Sequence, residues 1–110
     1  MTHKQLIKEI QDNLTQTTDI SVLADWDMKL SSEYAWLATQ LGEVKKDRAR
    51  DEIEIRKRLL ETEGKYTEAE IERQYFATEK GRFLAENEIV LKGISRLISA
   101  VRSQKEYLKI

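Results

Sequence analysis

Hydrophobic residues recur every three or four positions along most of the chain, which is the period of one face of an α-helix. The first such segment spans about residues 2–14, and its apolar positions are Leu6, Ile7, Ile10 and Leu14. Threonines and Asp19 then interrupt the pattern, and side chains of these types cap helices by accepting backbone hydrogen bonds. The pattern predicts a short amphipathic helix followed by a turn.

The second segment, from about residue 20 to residue 63, contains no proline and a single glycine, Gly42. A glycine costs a helix interior about 1 kcal/mol without breaking it. The apolar stripe of this segment comprises Leu23, Trp26, Leu30, Tyr34, Leu37, Leu41 and Val44, and it returns at Ile55, Leu59 and Leu60. This spacing predicts one long helix that packs in coiled-coil fashion.

Gly64 is the strongest stop signal, because glycine readily takes the left-handed conformation that ends a helix. Thr67 and Glu70 then have the spacing of a capping box, so the turn is expected at residues 64–67 and a last helix at about residues 68–108. The stripe of this helix is Phe76, Phe83, Val90, Ile94, Leu97, Val101 and Leu108, with a second stripe at Leu84, Leu91 and Ile98.

A short connection makes neighbouring helices antiparallel. The predicted fold is therefore all-α: a long antiparallel helical hairpin, or coiled coil, with a short N-terminal helix packing at its base, in one domain over residues 1–110. Folding the hairpin at the turn brings Leu30 opposite Val101 and Leu37 opposite Ile94. The charged stretch 45–58 then lies opposite 73–86.

Charged residues make up 35% of the chain, with 19 basic and 20 acidic side chains and a formal net charge of −1. Such a balance gives no bulk field typical of nucleic-acid or membrane binders. There is no cysteine, and no apolar run is long enough to span a membrane. We expect a cytoplasmic protein, in the host cytoplasm if it is phage-encoded, with no membrane partner.

No catalytic, metal-binding or cofactor-binding residues are predicted. His3 is the only histidine, no serine has a local triad partner, and the acidic residues after Thr67 favour the positive end of a helix dipole. A bundle that holds two metal ions would need Glu-x-x-His motifs, which the sequence lacks. We therefore expect a protein that is not an enzyme and that carries no cofactor.

The densest positive charge lies between residues 45 and 58, and such residues are suited to phosphate contacts. The candidate nucleic-acid contacts are Lys45, Lys46, Arg48, Arg50, Arg56, Lys57 and Arg58. Four carboxylates are interleaved with them, so ion pairing within a solvated coil is the favoured interpretation and nucleic-acid binding is the alternative. The segment 92–110 has five basic residues and one acidic residue, which we expect to pair with Asp25, Asp27 and Glu33.

The last helix has an apolar face wider than one neighbouring helix can cover, which is typical of an interface. Trp36 also points away from the main stripe of its helix. The candidate contacts with a second subunit or another partner are Trp36, Leu84, Leu91 and Ile98. These residues predict a homo-oligomer.

A short first helix followed by a long hairpin with a charged tip and an apolar C-terminal end resembles small coiled-coil proteins of phage early replication and recombination gene modules. The resemblance lies in the pattern of the whole chain and transfers no functional residue. It implies an accessory factor that acts by contact. The first functional hypothesis is a protein-protein interaction or scaffold module that self-associates, and the second is an accessory nucleic-acid-binding protein that uses residues 45–58.

Overall fold

The structure is a computed structural model that describes residues 3–109. It contains α1 (His3–Asn13), a short 3-10 helix (Leu14–Gln16), α2 (Ile20–Glu63), α3 (Glu68–Ala77) and α4 (Glu79–Lys109). No strand occurs among these residues. The predicted fold class is confirmed: the protein is all-α, and one long helix packs against the shorter helices and the returning chain.

The chain divides into two compact units, Met1–Ala38 with Val90–Ile110 and Thr39–Ile89. Helices α2 and α4 each contribute residues to both units. The single domain over residues 1–110 stays a prediction.

In the first unit, Leu6 of α1 lies beside Lys29, Ser32 and Glu33 of α2, and the first part of α2 pairs with the last part of α4. Its buried apolar side chains are Leu6, Ile10, Leu23, Trp26, Leu30, Leu37, Ile94, Leu97 and Val101. The Gln104 side chain donates a hydrogen bond to the carbonyl oxygen of Thr17 and so ties α4 to the segment before α2. Asp19 caps α2, since its carboxylate accepts from the backbone and hydroxyl of Ser21.

The second unit packs α3 and the first part of α4 against the last part of α2. Its buried apolar side chains are Leu41, Ile55, Leu59, Ile71, Tyr75 and Leu84. Polar contacts across this unit show that the two chain segments run antiparallel. Lys45 pairs with Glu88, Lys80 with Asp47 and Asp51, and Arg58 with Gln74. The predicted pairing of residues 45–58 with 73–86 is confirmed.

The turn lies where the sequence predicts it. Gly64 has a φ of 73°, and its N–H donates to the carbonyl oxygen of Leu60. Only glycine takes this left-handed conformation without steric cost. Thr67 is the N-cap of α3, and its side chain accepts from the N–H of Glu70 at 3.2 Å.

The prediction of one continuous last helix over residues 68–108 is wrong, because Thr78 separates α3 from α4 with a ψ of 160°. The Thr78 hydroxyl donates to the carbonyl oxygen of Tyr75 and accepts from the N–H of Gly81. A Cβ at residue 81 would overlap the carbonyl oxygen of Tyr75 and would lie 2.7 Å from the Cα of Phe76. The break between α3 and α4 therefore requires a residue without a side chain at position 81.

One further expectation is not met, and the bounds of the first helix agree with the prediction to within one residue among those described. Tyr34 was expected in the core stripe of α2, but 38% of it is exposed, whereas Trp26 is buried as predicted. The first helix covers residues 3–13, and the 3-10 helix takes up Leu14. Residue 2, the predicted start of that helix, lies outside the described residues.

Candidate interaction surfaces

An open groove runs between α2 and α4 in the first unit. It is lined by Ser31, Tyr34, Ser95, Ile98, Ser99 and Arg102. Ile98 is half-buried and Tyr34 is exposed, so both present apolar surface to solvent. The serines carry short side chains, which leave room for another helix to approach closely.

Uncharged residues continue this groove along both helices. Leu91 lies seven positions before Ile98 on α4, is half-buried, and shares the same face. On α2, Met28 precedes Ser31 by three positions and is 68% exposed. In a chain that is 35% charged, such a stretch of exposed uncharged side chains stands out.

A charged cluster closes one end of the groove. Arg102 Nε donates to both carboxylate oxygens of Asp27, at 3.1 and 3.3 Å, and Lys105 Nζ lies 3.4 Å from one of them. The hydroxyl of Ser31 donates to the same carboxylate at 3.2 Å. The hydrogen bond from Arg102 is the main cause that lowers the pKa of Asp27, against a smaller opposing effect of burial. The predicted pairing of the basic C-terminal segment with α2 is confirmed for Asp27, whereas Asp25 pairs with Lys29 of its own helix.

The basic stretch 45–58 is largely engaged within the second unit. Lys45 pairs with Glu88, Arg50 with Asp47, and Arg56 with both Glu52 and Glu68. Arg58 donates to the side chain of Gln74 at 2.6 Å. Arg48 pairs with Glu52 at 2.7 Å and covers the rings of Tyr75 and Phe76.

Lys46 and Lys57 differ from the other five, because within residues 3–109 neither forms an ion pair or a side-chain hydrogen bond. Both are exposed. The structure therefore divides the candidate nucleic-acid residues into five that have partners on the protein and two that have none within residues 3–109.

The four predicted subunit contacts do not form one surface. Leu84 is 2% exposed and belongs to the core of the second unit, so its nomination as a partner contact is wrong. Leu84 faces α2. The sequence shows two adjacent apolar stripes on this helix and does not by itself indicate which positions of the second stripe are buried. Trp36 is 56% exposed but lies roughly 200° around α2 from Tyr34, away from the groove that contains Ile98.

Sequence reasoning missed the polar residues of the groove. Ser31, Ser95 and Ser99 belong to no motif, and the spacing of Tyr34 predicts a position in the core. The sequence contains only an indirect sign of the groove. On each helix, uncharged residues recur at intervals of three and four beside the apolar stripe that forms the core.

Within residues 3–109, no group of three or more His, Cys, Asp or Glu side chains is arranged to hold a metal ion. No helix in the same part of the chain is both long and apolar enough to cross a membrane.

No protein-family model, no curated protein and no solved structure matches this chain.

Proposed function

We propose that the protein is a non-enzymatic protein-protein interaction or scaffold module that self-associates through the groove of its first unit. The observation that supports this most directly is the exposed, uncharged lining around Tyr34 and Ile98. Leu91 extends it by two helical turns. Burying such side chains is favourable by about 25 cal/mol per Å² of apolar surface removed from water.

A second copy is the occupant that fits the groove. Soluble oligomers are most often two-fold dimers, in which the same patch of each chain contacts its counterpart. The groove lies between two antiparallel helices, so joining two copies face to face gives a four-helix arrangement of the kind that buries Tyr34 and Ile98. The short serines let the helices approach to the distance of about 8–10 Å usual for packed helices.

Light scattering tests the proposal on the purified protein at micromolar concentration. We expect a mass of twice the 12.9 kDa of one chain. The double variant Leu91→Glu and Ile98→Glu should be monomeric, because a buried interface does not accept unpaired carboxylates. Ile89→Glu is the matched control, since Ile89 is on the same helix and already 74% exposed.

A monomer for the unmodified chain would contradict self-association, and a dimer that survives the double variant would place the interface on another face. Circular dichroism of the variant excludes simple unfolding as the cause. Nucleic-acid binding by residues 45–58 stays a prediction that no specific observation favours, because five of its seven cations have partners on the protein. The resemblance to phage accessory proteins also stays an expectation.

A further inference from the structure

The outer face of α2 in the second unit carries aliphatic side chains that are half exposed to solvent. Ile53 and Leu60 are each 50% exposed and lie seven positions apart, two helical turns along one face. Ile55 and Leu59, which lie between them in sequence, are buried in the core of the second unit. The helix thus has an inner apolar stripe that is covered and a shorter outer one that is open.

The positions around Ile53 carry positive charge. The helical neighbours of Ile53, three and four positions away, are Ala49, Arg50, Arg56 and Lys57. Leu60 has Lys57 three positions before it and Glu63 three positions after it, so the positive charge is concentrated at the Ile53 end of the stripe. No carboxylate occupies any of the four positions around Ile53, although acidic residues are abundant elsewhere in this segment.

The cations around the stripe are open to a ligand to different degrees. Lys57 has no ion pair within residues 3–109, and Lys46 on the same side of the helix has none either. Arg50 contacts Asp47 only at 3.5 Å, and its side chain is 70% exposed. Arg56 is more engaged, since it pairs with Glu52 and Glu68.

We propose that this face, formed by Arg50, Ile53, Lys57 and Leu60, docks an acidic amphipathic helix of a partner protein. A helix of that kind supplies aliphatic side chains at intervals of three and four for Ile53 and Leu60. Its flanking carboxylates complement Arg50 and Lys57, as the residues beside a coiled-coil seam do. This surface is distinct from the groove of the proposed self-association.

The aliphatic residues are what favour a protein helix over nucleic acid. Phosphate contacts need only cations, and an exposed isoleucine and leucine between them add nothing to phosphate binding. A second copy of this chain fits less well, because two such faces brought together would oppose Arg50 and Lys57 with like charges.

Fluorescence anisotropy with a labelled synthetic helix tests the proposal. The probe is a peptide of about three heptads with leucine at the seam positions and glutamate beside them, which repel one another and keep the peptide from pairing with itself. The control peptide carries lysine in place of each glutamate. We expect the acidic peptide to bind at least about tenfold more tightly than the lysine peptide.

Variants of the full chain then assign the binding to this face. The double variant Arg50→Glu and Lys57→Glu should lose at least about tenfold in affinity for the acidic peptide and should gain affinity for the lysine peptide. Ile53→Ser should lower the affinity for the acidic peptide several-fold. The matched controls are Lys92→Glu and Ile89→Ser, which alter an exposed cation and an exposed aliphatic elsewhere and should leave binding unchanged.

Three results would overturn the proposal. The first is the absence of saturable binding by the acidic peptide, or equal binding of both peptides. The second is tight binding of a DNA duplex that Arg50→Glu with Lys57→Glu abolishes and Ile53→Ser leaves intact, which would make the face a phosphate site. The third is light scattering in which Ile53→Ser alone converts a dimer to a monomer, which would assign the face to a second copy.

Discussion

Arg48 lies over the ring of Tyr75, with its guanidinium carbon 4.8 Å from the ring centroid. The same guanidinium is 5.1 Å from the ring centroid of Phe76, and its Nε donates to the carboxylate of Glu52 at 2.7 Å. A cation nominated for phosphate contact therefore joins α2 to α3 within the protein. This contact explains a positive charge in the middle of the coil without any ligand.

Replacing Arg48 with alanine should destabilise the protein, because it removes the contact with both rings and the ion pair with Glu52. A partly exposed cation–π contact contributes about 1 kcal/mol, and the ion pair within one helix adds roughly 0.5 kcal/mol. Urea denaturation followed by circular dichroism measures the change. Arg50→Ala is the control, since its side chain is 70% exposed, and it should change stability by less than about 0.5 kcal/mol.

Tyr75→Phe should leave stability unchanged or raise it. The Tyr75 side chain is fully buried, and its hydroxyl has no hydrogen-bond partner among the described residues. A buried hydroxyl without a partner costs about 1–3 kcal/mol, so its removal relieves that cost while the ring keeps its packing. The same urea titration checks this. A clear loss of stability would mean that the hydroxyl has a partner, such as a bound water.

The sequence alone predicts the ends of those helices that carry strong local signals. The end of α2 at Gly64 and the start of α3 after Thr67 follow from a left-handed glycine and an N-cap, both of which act within a few residues. The antiparallel register follows from that turn. Asp27 and Arg102 illustrate the result, since their pairing across the first unit matches the predicted register.

The break at Thr78 and the groove at Tyr34 could not be predicted in the same way. Threonine and glycine are both tolerated inside helices, and only the close approach of the Tyr75 carbonyl to Gly81 reveals the break. Tyr34 has the right spacing for the core, but its angular position puts it at the edge of the interface between α2 and α4. Leu84 shows the opposite discrepancy. It belongs to the second apolar stripe of the last helix, which the sequence predicts to be open to a partner, but its side chain is buried in the core of the second unit.

Gly81→Ala and Gly93→Ala should have opposite effects. At residue 81 the added Cβ meets backbone atoms that cannot move aside, so the variant should be destabilised by more than about 1 kcal/mol. Gly93 lies inside α4 with no atom within 4 Å of an added Cβ, and alanine there should stabilise the helix by about 0.5–1 kcal/mol. Thermal unfolding of the two variants measures both effects. Equal effects in the two variants would argue that α3 and α4 form one continuous helix.

The interaction of Asp27 with Arg102 and Lys105 predicts how stability depends on pH. The pKa of Asp27 is lowered in the folded protein, first by the hydrogen bond from Arg102. Because the folded pKa lies below the unfolded value of about 3.9, the unfolded chain takes up this proton first as the pH falls. The stabilisation from Asp27 is therefore complete above the unfolded pKa and is lost as the pH falls through the folded pKa.

Asp27→Asn removes this contribution and should lower the free energy of unfolding at neutral pH. The difference from the unmodified protein should shrink as the pH is lowered below about 4, because protonation then cancels the advantage of the carboxylate. Urea titrations at a series of pH values measure the difference. Asp25→Asn is the matched control, because that carboxylate is half-exposed and, among residues 3–109, pairs only with Lys29 in the next turn of the same helix. A loss in Asp27→Asn that stays constant from neutral to acid pH would show that the side chain stabilises the unit by its neutral hydrogen bonds and not by its charge.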